Sequence, residues 1–204
     1  MTDYTITKLD LSKEQLTELP DDLHLYTILT HLDCSGNKIT TLDNLPPNIT
    51  YLDCSYNQIT TLDHLPPSLT YLDCSYNQIT YLDNLPHNMT YLDCYRNQIT
   101  SLDNLPQSLT NLDCNNNQIT SLDHLPPILR TLYCAYNQLT SLNNLPQRLT
   151  ELYCDYNEIT SLDNLPPTLN YLECYENPLY YEFEPTLENI RLFQEENKSL
   201  YVLK

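Results

Sequence analysis

Eight cysteines stand twenty residues apart: Cys34, Cys54, Cys74, Cys94, Cys114, Cys134, Cys154 and Cys174. Thiols can attack as nucleophiles, pair as disulfides or hold soft metals. The spacing argues against each. Zinc needs four ligands converging tetrahedrally, and a linear column has no second pair to offer. Thiols on neighbouring turns of a stack approach disulfide range, but bridging them would strain the spacing of the strands that carry them. His31 precedes Cys34 by three residues, which on an alternating strand puts the two on opposite faces, so no thiolate pair forms. The expected state is a buried, reduced column packing as small hydrophobes, which suits a reducing compartment such as the cytoplasm.

The remaining chemistry-bearing residues are equally dispersed. His24, His31, His64, His87 and His124 do not cluster. His64 and His124 share a place in the repeat but lie three turns apart, about 15 Å by strand spacing. No nucleophile elbow, phosphate loop, His-Glu-x-x-His or zinc-type spacing is present. The expectation is a chain without catalytic residues, metal site or cofactor.

The elements that carry the cysteines follow from the unit around them. In LTYLDCSYNQITYLDNLPHN, residues 69–88, almost every letter recurs twenty residues away on either side. Counting from the opening apolar residue, position 1 is Leu29, Ile49, Leu69, Met89, Leu109, Leu129, Leu149 or Leu169. Position 4 is always Leu, position 6 Cys, position 9 Asn and position 11 Ile or Leu until Leu179 ends the series. Positions 4 and 6 are apolar while 5 and 7 are mostly polar, the period of a half-buried strand. One such turn cannot bury its apolar edge alone; stacked turns can, with their strands in a parallel sheet about 4.8 Å apart. Twenty residues leave too few for a return helix, and the Leu-Pro-Pro of the return path predicts polyproline-like or 3-10 turns.

This pattern resembles the leucine-rich repeat family, L-x-x-L-x-L-x-x-N-x-L, with Cys at the third apolar site. The short unit with its Leu-Pro resembles the bacterial-effector class of these repeats. The wording Leu-Asp-Cys-Ser-Tyr-Asn-Gln-Ile-Thr, followed by Leu-Asp-Asn-Leu-Pro-Pro, is closer still to leucine-rich repeat proteins of giant amoebal viruses of the mimivirus type. The match covers about nine-tenths of the chain. It implies an α/β-type, mostly β solenoid: a right-handed stack of about nine turns, a parallel sheet on the concave face and a non-enzymatic protein-binding role there. It also implies that Asn37, Asn57, Asn77, Asn97, Asn117, Asn137, Asn157 and Asn177 form a structural ladder, their inward amides satisfying backbone groups where the chain leaves the sheet. Some bacterial effectors with similar repeats carry a ubiquitin-ligase domain after them. Only about 25 residues follow the last repeat here, without a cysteine, so that activity does not carry over and the chain reads at most as a remnant of such an effector.

Three regions are expected: an N-terminal capping repeat (1–28), tandem repeats (29–180) and a C-terminal cap (181–204). In the first, Leu9 to Leu32 spans 23 residues, which predicts an insertion near Asp21–Tyr26. In the last, Thr186 is the expected N-cap of a helix with Leu187, Ile190 and Phe193 on one face, and Leu200 to Leu203 is expected to add a strand.

On the concave face, position 5 carries Asp33, Asp53, Asp73, Asp93 and Asp113, then Tyr133 and Tyr153, then Glu173. Like charges on paired strands oppose folding, so the row reads either as a solvated face or as a groove for a basic segment or cations. Position 3 sets Tyr51, Tyr71 and Tyr91 beside it, large amphipathic rings suited to cationic partners or to stacking on one another. A second row, Asp43, Asp63, Asp83, Asp103, Asp123 and Asp163, is expected to cap the convex turns through backbone hydrogen bonds.

Net charge bounds the partners. With 27 acidic and 9 basic residues, the chain carries −18, which repels bare nucleic acid and anionic membrane. No apolar run is long enough to span a bilayer, and MTDYTITKLDLSKEQ lacks the basic-then-apolar pattern of a secretory leader. The expected partner is a protein with a basic segment, held by Tyr51, Asp53, Tyr71, Asp73, Tyr91, Asp93 and Asp113, with Tyr133 and Tyr153 extending the strip. Competing expectations are weak divalent-cation binding by carboxylates on neighbouring turns and self-association through an end strand or the tyrosine face.

Overall fold

A computed structural model describes residues 4–202, with side chains to residue 196. Nine three-residue strands form one parallel sheet in sequence order. They are β1 (Lys8–Asp10), β2 (His31–Asp33), β3 (Tyr51–Asp53), β4 (Tyr71–Asp73), β5 (Tyr91–Asp93), β6 (Asn111–Asp113), β7 (Thr131–Tyr133), β8 (Glu151–Tyr153) and β9 (Tyr171–Glu173). The register follows the repeat without slippage: Leu32 faces Leu52, Leu52 faces Leu72, and so on to Leu152 and Leu172. Slipping one residue would exchange the buried Leu for Tyr and Asp, so the alternation itself fixes the pairing.

The core runs the length of the stack. Positions 1, 4, 6 and 11 are fully or almost fully buried in the interior turns, as in Leu69, Leu72, Cys74 and Ile79. Position 14 and the first Pro of each return path close the core from the convex side. Each turn buries about five apolar side chains, worth roughly 1.5–3 kcal/mol apiece, but only against its neighbours.

The return path makes two tight bends. In the first, the residue after the convex Asp or Asn takes positive φ in the six turns from Asn44 to Asn144, from 60° at Asn84 to 68° at His124, which Asn tolerates better than most residues. In the second, the N–H of position 1 donates to the carbonyl of the Pro three residues earlier, as from Leu69 to Pro66 at 3.0 Å. That is 3-10-type bonding in single turns, and Pro67 supplies the fixed φ that the second turn residue needs. The expected insertion near the N-terminus is a 3-10 helix, Leu23–Leu25, whose Leu23 is buried.

One helix, α1 (Leu187–Val202), follows the last turn. Thr186 caps it, its Oγ1 accepting from the Asn189 N–H at 3.2 Å. Ile190 is buried, and Tyr181, Phe183 and Phe193 form an aromatic cluster with centroids 4.9–5.6 Å apart. Two polar groups serve the last full turn: Leu162 N–H donates to the Tyr181 hydroxyl, and the Gln194 amide donates to the Leu162 carbonyl. The strand expected from Leu200 is not formed. Leu200 to Val202 continue α1, and Leu203 lies outside the described residues. A four-residue apolar run has no period of its own, and a helix already capped at Thr186 propagates through it at one hydrogen bond per residue.

Candidate partner-binding face

The sheet sets positions 3 and 5 of each turn on the concave surface, on either side of the buried Leu. At position 3 the rings stack along the sheet. Tyr51 and Tyr71 have centroids 4.3 Å apart, as do Tyr71 and Tyr91, and His31 extends the column at 5.5 Å. The rings are half-buried, and burial raises the pKa of all three tyrosines above the ordinary phenol value.

Beside them, in register, run Asp33, Asp53, Asp73, Asp93 and Asp113. These carboxylates have a structural role that alternation does not reveal. Each accepts from the backbone N–H two residues on: Asp33 from Ser35, Asp53 from Ser55, Asp73 from Ser75, Asp93 from Tyr95 and Asp113 from Asn115, all at 2.9–3.0 Å. The row therefore secures the bend by which the chain leaves the sheet. Burial is the main cause that raises Asp53, lifts Asp93 to about 7 and lifts Asp113 to about 6, and neighbouring carboxylates add to it. The backbone hydrogen bond opposes burial at each site, without cancelling it.

Tyr133 and Tyr153 form a separate stack at position 5, centroids 4.3 Å apart, and Tyr153 reaches on to Tyr171 at 5.0 Å. Burial pushes the Tyr153 phenol up to about 12. Asn111 and the buried Thr131 separate this pair from the Tyr51–Tyr91 column, so the strip is two aromatic columns rather than one.

The two structural ladders are in place. Asn77 donates to the carbonyls of Cys54, Cys74 and Ser75 at 3.0–3.1 Å and accepts from Ile59 N–H at 2.9 Å; its counterparts repeat this pattern. All eight cysteines are free and buried, and burial raises their pKa. The Cys74 thiol donates to the Asp93 carbonyl of the next turn at 3.2 Å. A third ladder escaped the sequence reading. Position 2 threonines donate through Oγ1 to the previous turn's position 2 carbonyl, as Thr70 does to Thr50 at 3.0 Å and Thr110 to Thr90 at 3.0 Å. Its signal was visible in the near-invariance of Thr before each strand.

The convex acidic row behaves differently from expectation. Its carboxylates pair with side chains of the following turn rather than with backbone: Asp43 with His64, Asp83 with Asn104, Asp103 with His124 and Asp123 with Asn144. In these four pairs the left-handed residue that follows one convex Asp or Asn aims its amide or imidazole back along the stack, and the Asp of the previous turn receives it. Among the described residues, no group of three or more His, Cys, Asp or Glu is arranged to hold a metal ion.

Position 8, on the edge where the chain leaves the sheet, carries a backbone anomaly. Tyr56, Tyr76, Arg96, Asn116, Tyr136, Tyr156 and Glu176 all have φ of 51–55°, where only Gly36 and Asn116 are at ease. A side chain with a Cβ costs about 1 kcal/mol or more there. Tyr56 stacks on Tyr76 at 3.9 Å, Tyr136 stacks on Tyr156 at 4.3 Å, and the Arg96 guanidinium lies 5.2 Å from the Tyr76 ring centre.

A parallel solenoid of twenty-residue turns with asparagine and cysteine ladders defines the class, and the comparisons agree. The family model for leucine-rich repeats (two copies) matches six overlapping times between residues 29 and 167, so the chain belongs to the leucine-rich repeat family. Among solved structures it is similar to the functional domain of InlJ from Listeria monocytogenes, which includes a cysteine ladder. Identity is 41% and TM-score 0.76 over 87% of this chain and 41% of that one. It is similar to the leucine-rich effector YopM from Yersinia pestis at 32% identity and TM-score 0.71, over 85% of this chain and 56% of that one. Internalin C2 from Listeria monocytogenes aligns at 26% identity and TM-score 0.78, over 83% of this chain and 80% of that one. No curated protein sequence matches. The chain thus spans about two fifths of the InlJ structure and somewhat over half of YopM, and its short repeats are of the bacterial-effector kind. Leucine-rich repeat domains commonly serve as protein–protein interaction scaffolds and are typically non-catalytic.

Proposed function

We propose that this chain is a non-enzymatic scaffold that binds a protein partner with a basic segment on its concave strip. The observation that carries the reading is the juxtaposition of the Asp53–Asp73–Asp93–Asp113 row with the Tyr51–Tyr71–Tyr91 column. Lys or Arg side chains lying across the strip would meet carboxylates on one side and aromatic faces on the other. Net charge of −18 adds long-range attraction for such a partner and repulsion for nucleic acid. Tyr133 and Tyr153 would extend the contact with uncharged area. The eight free thiols support placing the protein in a reducing compartment, the cytoplasm.

The test is the triple variant Asp53→Asn, Asp73→Asn, Asp93→Asn. Asparagine keeps an oxygen to accept from Ser55, Ser75 and Tyr95 N–H, so the strand exits survive while the negative charge of the row is removed at those three positions. Titration with an Arg/Lys-rich peptide should show affinity falling steeply with salt for the wild type and weakly for the variant. Equal affinity and equal salt dependence for both would reject the concave reading.

A further inference from the structure

We infer a second site, on the strand-exit edge, that takes one aromatic side chain of a protein partner into a missing place in the position 8 row. The row is a file of planar groups: Tyr56 on Tyr76, Arg96 over Tyr76, then Tyr136 on Tyr156. Between Tyr56 and Tyr156 the file is interrupted at Asn116, whose short side chain carries no ring to stack. The interruption lies within a shallow, open groove of about 700 Å³ that runs along five turns from Tyr56 to Tyr136, and Gln98 and Gln118 line the groove as well.

The dimensions select the occupant. Arg96 and Tyr136 are two turns apart, roughly 9–10 Å by strand spacing. A planar group needs about 3.5–4 Å on each face, so one ring fits between them and two do not. The faces it meets are a guanidinium and a phenol ring, one cationic and one electron-rich, and both reward an aromatic ring more than an aliphatic one. The outer amides of Gln98 and Gln118, both exposed, can hydrogen-bond a phenol hydroxyl, an indole N–H or the flanking peptide. Overall charge disfavours the other source of planar rings, a nucleic acid base. The backbone points the same way. The chain keeps Tyr and Arg at φ near 52°, where Gly or Asn would relieve strain, and returns to Asn at the one place where a gap opens. This site is separate from the concave strip and does not depend on what binds there.

The probes are N-acetyltyrosinamide and N-acetyltryptophanamide, followed by NMR on the intact chain. Wild-type protein should show saturable shifts of the Asn116 and Gln118 amides and of the Arg96 side chain. Asn116→Tyr fills the gap with the residue that four other turns already hold at this φ, so it should fold and bind at least tenfold more weakly. Arg96→Ala, at an exposed position, should weaken binding several-fold and serves as a second readout. Absence of saturable shifts in the wild type would overturn the inference, as would unchanged affinity in either variant. Tighter binding of adenosine at the same amides would also overturn it, by replacing the side chain with a base.

Discussion

Asn115 Oδ1 accepts the Ala135 backbone N–H across one turn, at 2.6 Å. In the earlier turns that N–H is held by the Asp at position 5 of its own strand, but here the strand carries Tyr133. The previous turn supplies the acceptor instead. Asp155 does the same for Tyr175 N–H at 2.7 Å, where Glu173 stands at position 5. The loss of Asp at Tyr133 is therefore compensated by Asn115, and at Glu173 by Asp155, each at position 7 of the previous turn.

Asn115→Ala should cost about 1–2 kcal/mol, because it strips the acceptor from a part-buried N–H. Adding Tyr133→Asp should restore a local acceptor. A urea-unfolding cycle over the two sites should show a favourable coupling; strict additivity would mean that Ala135 N–H finds another partner.

Asn77→Ala should destabilise by about 3 kcal/mol. It leaves Ile59 N–H without its acceptor and three carbonyls without their shared donor, in a site closed to water. Asn77→Asp should do no better, since a carboxylate would face those same three carbonyl oxygens. The urea midpoint measures both, and a loss under 0.5 kcal/mol, on the order of an exposed surface change, would refute the ladder's energetic role.

Acidification should stabilise the fold. Asp93 holds its proton to about pH 7 when folded, against an ordinary value of 3.8, and Asp113 to about 6. Between those limits the folded chain binds more protons than the unfolded one. The resulting stabilisation is complete below the ordinary value and is lost as pH rises through the folded values. Melting temperature should rise by a few degrees from about pH 7.5 to about pH 5. Asp93→Asn, which retains the acceptor for Tyr95 N–H, should raise the melting point at the higher pH and flatten the slope. A wild-type slope retained in that variant would assign the effect to other groups.

The thiols should be inert until the stack opens. All eight are buried, with pKa values raised by desolvation, so the thiolate needed for attack is scarce. A thiol-reactive dye should label the native protein slowly and the urea-unfolded protein at eight sites. Cys174, in the last turn and less deeply buried, should react first as the chain opens. Fast labelling of Cys94 in native conditions would contradict the packed column.

Most of the fold was legible because a strict repeat converts sequence spacing into spatial register. Leu72, Cys74, Asn77 and Ile79 each find a copy of themselves one turn away, and nothing else competes. What was obscured was local bonding. Asp53 reads as an outward charge by alternation, yet Asp53-Cys54-Ser55 is also the sequence of a turn closed by a carboxylate, and two-residue periodicity does not separate those roles. Left-handed backbone at Tyr76 and Arg96 was hidden for a similar reason: Gly is the usual sign of positive φ, and only the first full turn has one. Leu200 misled because four apolar residues near a chain end carry no phase.

The ties between interior turns link residues separated by 18 to 23 positions, as in Ile59 to Asn77 and Asn77 to Cys54. Excising or inserting one whole unit would hand each of these groups an equivalent partner, Asn97 in place of Asn77 for Ile59. Copy number is thus decoupled from the chemistry of any one turn, and the length of the concave strip is set by counting units.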